Sequence, residues 1–162
     1  MQQQQIENWL RQIGTQPVSV AAAAGNEWRL QFTFPPGSQQ TLSCFAPQNP
    51  AGATVIAVNY PLSPAEAAFD SLSTAAKNAF LLELRATLTR DHLFHDISPG
   101  ASPQSCPRTF GVFDVRFDDG LTLDSFARSV MTVNNTGLAA NLCCAKHLGA
   151  ALQSPTAAPK RQ

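Results

Sequence analysis

The chain has 162 residues, with eleven basic and eleven acidic side chains and only 14% of positions charged. That balance leaves no basic cluster for nucleic acid or anionic lipid, and no run reaches the roughly 18 apolar residues of a membrane span. An apolar fraction of 44% with ten Phe argues against a wholly disordered chain and fits one core of ordinary size.

The N-terminus, Met1 to Glu7, has neither a basic n-region nor an apolar h-region. No secretory signal is therefore expected, and the expected location is the cytoplasm with reduced cysteines. Ile6, Trp9, Leu10 and Ile13 recur at helical spacing, and Gly14 followed by Pro17 ends that helix. Val18 to Ala24 reads as a strand, and Gly25-Asn26 as a turn. Trp28, Leu30, Phe32 and Phe34 alternate with Arg29, Gln31 and Thr33, the pattern of a half-buried strand. Thr41–Ala46 and Thr54–Val58 supply two more strands, which makes an antiparallel meander the simplest topology.

Ser63-Pro64-Ala65-Glu66 reads as a helix start, with Ser63 as cap and Pro64 at the first helical position. Asp70-Ser71-Leu72-Ser73 offers a second capping site, so a short helix can break before a longer one over Thr74–Thr89. His92–Ile97 and Phe113–Phe117 form a hairpin across the Pro- and Ser-rich loop Ser98–Pro107. Thr122 is the expected cap of a long helix whose apolar face runs from Phe126 to Leu152. Asn134 to Gly137 weakens its middle and predicts a kink or a close backbone contact. Residues 1–153 thus make one domain, and Ser154–Gln162 reads as a disordered tail.

The expected fold is α+β: a single antiparallel sheet with helices on one face, in the order α-β-β-β-β-α-β-β-α. Its core is expected to join Trp28, Phe32, Phe80, Leu84, Phe113, Val115, Phe126 and Val130. The opposite sheet face should then carry Arg29, Gln31, Thr33, Asp114 and Arg116, a polar, mixed-charge surface suited to a partner.

The richest polar cluster is Asp91-His92-Leu93-Phe94-His95-Asp96, but residues three apart on a strand diverge, so His92 and His95 should not share a metal. Cys143 and His147 lie four apart on one helical face, a half-site that lacks further ligands. Nothing in the sequence sets Cys44 or Cys106 beside a histidine, and Cys143 and Cys144 are adjacent, which disfavours a bridge between them. No nucleophile elbow, phosphate loop, dinucleotide fingerprint or zinc-protease motif occurs, and Asp118-Asp119 sits in a turn where Asp is locally favoured. The expectation is no catalytic residue, no cofactor and no metal.

Ile6–Ile13, Glu27-Trp28-Arg29-Leu30, Ala79-Phe80-Leu81-Leu82-Glu83-Leu84 and Asp119-Gly120-Leu121-Thr122, in that order, resemble the secretion-chaperone-like fold. This is the fold of class I type III secretion chaperones and of the YbjN-like group of bacterial proteins. The resemblance covers most of residues 6 to 152, and the balanced charge departs from the acidity of secretion chaperones. It implies a non-enzymatic, protein-binding or assembly domain of a bacterial cytosol, with another protein or a second copy as partner. The alternative is a small-molecule-binding domain or enzyme built on the His92–Asp96 hairpin.

Overall fold

The computed structural model describes residues 3–102, 105–149 and 152. Helix α1 (Gln3–Gln12) ends at Gly14, whose φ of 86° suits only a residue without a Cβ, and Thr15 N–H closes onto the Leu10 carbonyl. Strands β1 (Val18–Ser19), β2 (Asn26–Thr33), β3 (Thr41–Pro47) and β4 (Ala53–Pro61) follow as an antiparallel meander. Next come a 3-10 turn over Ser63–Ala65, helices α2 (Glu66–Ser71) and α3 (Thr74–Thr89), hairpin β5 (Phe94–Ser98) and β6 (Thr109–Phe117), and helix α4 (Leu123–Leu148). The six strands lie in the order β1-β2-β3-β4-β6-β5, all pairs antiparallel. The α+β class, single sheet and element order are those expected from the residue pattern.

Three local expectations differ. Of Val18–Ala24 only Val18 and Ser19 form a strand, with one further bond from Val20 N–H to the Arg29 carbonyl, because the alanine run that follows has little to pack on a pleated edge. Ser63 makes no capping bond: Leu62 occupies the cap position of the 3-10 turn, and Pro64 sits in its first positions as anticipated. The long helix stops at Leu148 on Gly149, which has a φ of 71°, rather than running to Leu152. Leu152 instead folds back and is held by Asn141, whose Nδ2 donates to the Leu152 carbonyl at 2.7 Å while Oδ1 accepts from its N–H at 2.6 Å. The expected tail, Ser154–Gln162, lies outside the described residues.

Two caps hold as read. Ser73 accepts from Ala76 N–H at the start of α3, and Thr122 forms a reciprocal capping pair with Ser125 at the start of α4.

One cluster forms the core. Leu30 and Phe32 of β2, Leu42 and Cys44 of β3, Ile56, Val58 and Tyr60 of β4, and Phe110 and Val112 of β6 meet Ile6 and Leu10 of α1, Phe80 and Leu84 of α3, and Phe126, Val130 and Val133 of α4. Gly137 lets α4 approach the sheet closely. A Cβ there would lie 2.6 Å from Val58 Cγ1, 3.4 Å from Tyr60 Cε2 and 3.5 Å from Gln40 Nε2. Of the two outcomes expected from Asn134–Gly137, the close contact is the one found.

The parity of β6 is opposite to the expected one. The register sets Asp114 against Ile56 and Val115 against Val55, so Asp114 and Arg116 point toward the helices. Phe113, Val115 and Phe117 point away from them. Two charged side chains are tolerated on the helix side because they satisfy each other. Arg116 Nε donates to Asp114 Oδ2 and to Ser129 Oγ, each at 2.8 Å, and Ser129 Oγ–H donates to the same carboxylate. Phe113 and Val115 therefore leave the expected core, and Phe110 and Val112 take their places.

Candidate functional site

The first candidate is the sheet face that bears no helix. Following the registers, Arg29, Phe45, Val55 and Val115 form one row, and Gln31, Ser43, Ala57, Phe113 and Phe94 the next. Ala53 and Phe117 flank these rows at one end, while Thr33, Thr41, Asn59 and Asp96 belong to the other. Phe94 and Phe113 stack at 5.6 Å, yet Phe94 remains 58% and Phe117 55% exposed. At the paired positions of this face Arg29 and Asp96 are the charged residues, and they stand toward opposite edges of the sheet.

Of the five residues expected to share a partner face, Arg29, Gln31 and Thr33 do lie here. Asp114 and Arg116 do not; they lie on the helix side, Asp114 buried and Arg116 partly exposed beside Ser129 of α4. The exchange matters chemically, because three apolar side chains stand where an ion pair was expected. Apolar side chains run from the centre of the face to Phe94 on the edge strand and Phe117 at one end, while Arg29, Gln31, Thr33 and Asp96 supply the polar parts of its margin.

The second candidate lies on the other side of the molecule, between α3 and α4. Cys143 and His147 share a face of α4 one turn apart, as their spacing requires. Glu83 of α3 meets them: its Oε2 lies 2.7 Å from His147 Nε2, and the ligand atoms of Glu83, Cys143 and His147 all fall within 4.8 Å of one another. Among the described residues this is the one grouping of three ligand-type side chains. Lys146 Nζ donates to both Glu83 oxygens at 2.8 Å. Lys146 and then His147 hold the Glu83 carboxyl below its usual range, while Glu83 raises the Lys146 ammonium.

Burial, and then the Glu83 charge, push the Cys143 thiol up. A cavity of about 270 Å³ opens beside these groups, lined by Thr87, Arg90, Ala139 and Leu142 as well as Glu83, Cys143 and Lys146. Glu83 carried no signal in the sequence: it is one of many charged residues on a helix surface, and its role depends on how α3 crosses α4.

The hairpin histidines stay apart from both. His92 precedes β5 in a left-handed turn (φ 56°), and His95 is exposed on β5. Asp91 accepts a hydrogen bond from Thr136 Oγ1 of α4, and Asp96 accepts one from Ser98 at 3.0 Å. None of these four lines the cavity between α3 and α4.

All four cysteines are free and buried. Burial raises the Cys44 thiol far above its usual range, Cys106 to about 11 and Cys144 to about 12, so none is a ready nucleophile. No described helix is long and apolar enough to cross a membrane.

These features define the class: a two-layer α+β domain, with the described helices packed on one sheet face and none on the other. A family described as "Uncharacterized conserved protein (DUF2299)" matches residues 2–143, and the chain belongs to that family. The fold is similar to that in the crystal structure of an uncharacterized protein from Methanothermobacter thermautotrophicus. The TM-score is 0.78 at 21% identity, covering 91% of this chain and 99% of that one. No curated protein matches the chain.

Proposed function

We propose that this is a non-enzymatic assembly domain that associates through the helix-free face of its sheet, with a second copy of the chain as the occupant. The observation that carries the reading is the pair of aromatic side chains on that face, Phe94 on the edge strand and Phe117 at the end of β6, both more than half exposed. Exposed aromatic surface in contact with water is costly, and contiguous patches of this kind mark association sites.

Area favours a second copy. Five strands about 4.8 Å apart and about seven residues long, at ~3.4 Å per residue, give a plan area of roughly 570 Å². Two such faces together have a plan area comparable to the ~1,000 Å² that a specific interface buries. Sheets stack face to face about 10 Å apart, so a two-fold pair would form a sandwich with helices outside. The polar margin is self-complementary in sign, with Arg29 toward one edge and Asp96 toward the other. The resemblance to secretion-chaperone-like domains implies the same kind of role.

Sedimentation equilibrium of the full chain tests this. A dimer is expected at micromolar concentration, and Phe94→Asp with Phe117→Asp should yield a folded monomer. A wild-type monomer at high concentration, or a dimer unmoved by both substitutions, would sink the reading. A monomer whose Phe94 and Phe117 are instead covered by a different protein would replace the second copy with that partner.

A further inference from the structure

We propose that Glu83, Cys143 and His147 form a binding site for a borderline divalent transition-metal ion, with zinc the best-matched occupant. The three side chains offer the donor set zinc prefers: one thiolate, one imidazole and one carboxylate. Cys143 and His147 are fixed on one helix at the spacing that aims both at a common point, and Glu83 arrives from a different helix. Their ligand atoms already lie within 4.8 Å of one another. A tetrahedral ion with bonds of about 2.0–2.3 Å holds its ligands roughly 3.3–3.8 Å apart, so adjustments of about 1 Å suffice.

The charge pattern agrees. Glu83 already holds one cation, the Lys146 ammonium, which sits across both of its oxygens. That ammonium is a monovalent competitor for the same carboxylate. Its side chain is 64% exposed, so it can swing into water when a divalent ion arrives. Two coordination bonds then form from groups on α4 and one from α3; the thiol proton leaves to solvent as the sulfur–metal bond forms. Glu83 and Cys143 both line the 270 Å³ cavity, so water or a small anion entering it near Arg90 can complete the shell. Bound metal would pin α3 against α4.

Cobalt(II) and zinc(II), titrated separately into the full chain, test the site. Cobalt should give a thiolate-to-metal charge-transfer band at one ion per chain, bleached by zinc. Cys143→Ser should abolish the band. Glu83→Gln and His147→Ala should each weaken binding by more than the ~10–100-fold typical of losing an outer-shell partner. Lys146→Ala, which removes the competitor at an exposed position, should tighten binding several-fold. Zinc should raise the melting temperature of the wild type and not of Cys143→Ser. Absence of the thiolate band in the wild type, or its persistence in folded Cys143→Ser, overturns the site. Weaker binding in Lys146→Ala would show that the lysine assists rather than competes and would overturn the arrangement argued here.

Discussion

Gly137→Ala isolates the contact that seats α4 on the sheet. In an open helix this change stabilises by about 1 kcal/mol, because alanine surrenders less backbone entropy than glycine. Here the new methyl would lie 2.6 Å from Val58 Cγ1, where carbon atoms normally rest about 3.5–4.0 Å apart. The overlap is about 1 Å, and Val58 cannot yield easily. It is 1% exposed in the strand between β3 and β6, and a β-branched side chain has little rotamer freedom. Either Val58 leaves its rotamer or α4 lifts, which loosens Val133 and Ala140 as well.

Overpacking of this kind costs about 1–3 kcal/mol, so against the gain in helix propensity the net expectation is a loss of up to about 2 kcal/mol. For a chain of 162 residues that lowers the melting temperature by up to roughly 4–8 °C. Urea unfolding, followed by circular dichroism and by fluorescence of Trp9 and Trp28, measures it. Val58→Ala combined with Gly137→Ala should cost less than the two single changes added together, by ~0.5 kcal/mol or more, since the new methyl enters the vacated space. A Gly137→Ala protein more stable than wild type would refute the close approach.

Two further substitutions separate the faces of the sheet. Phe80, fully buried against Phe69 at 6.0 Å, should cost about 3–5 kcal/mol on truncation to Ala, whereas half-buried Phe113 should cost at most about half as much; equal losses in chemical denaturation would put Phe113 back in the core. Arg116→Glu sets a carboxylate against Asp114 under α4 and should destabilise by at least ~1–2 kcal/mol, while Arg29→Glu on the bare face should cost less, and the reverse order of melting temperatures would invert the assignment of faces.

Element order was legible because each segment's local chemistry agrees with its period. Ile6/Leu10 and Phe80/Leu84 repeat at helical spacing, Leu30/Phe32 alternate, and Ser73 and Thr122 cap the helices they precede. The facing of β6 was not legible. Phe113, Val115 and Phe117 alternate with Asp114 and Arg116, and apolar residues ordinarily mark the core side. A one-residue choice reverses every side chain on a strand, and here the deciding factor is Ser129, a residue of another element that completes the Asp114–Arg116 network. Once that network exists, the phenylalanines are free to face outward. The metal-type cluster was half legible for a similar reason: Cys143 and His147 announce themselves by spacing along one helix, but Glu83 joins them only through tertiary packing.

The placement of β6 between β4 and β5 also governs how the chain can reach its fold. The β2–β3–β4 meander closes over short loops and the β5–β6 hairpin over the longer segment 99–108, but nine β4–β6 pairs, from Ala53–Phe117 to Pro61–Thr109, join residues about 50 to 65 positions apart. A chain emerging from the ribosome completes the meander well before β6 exists. Until then one whole edge of β4, with Val55, Ile56 and Val58, carries unpaired backbone groups. Two locally formed halves must therefore wait for a single docking event, and the interval before it is when the nascent chain is most exposed to mispairing with its neighbours.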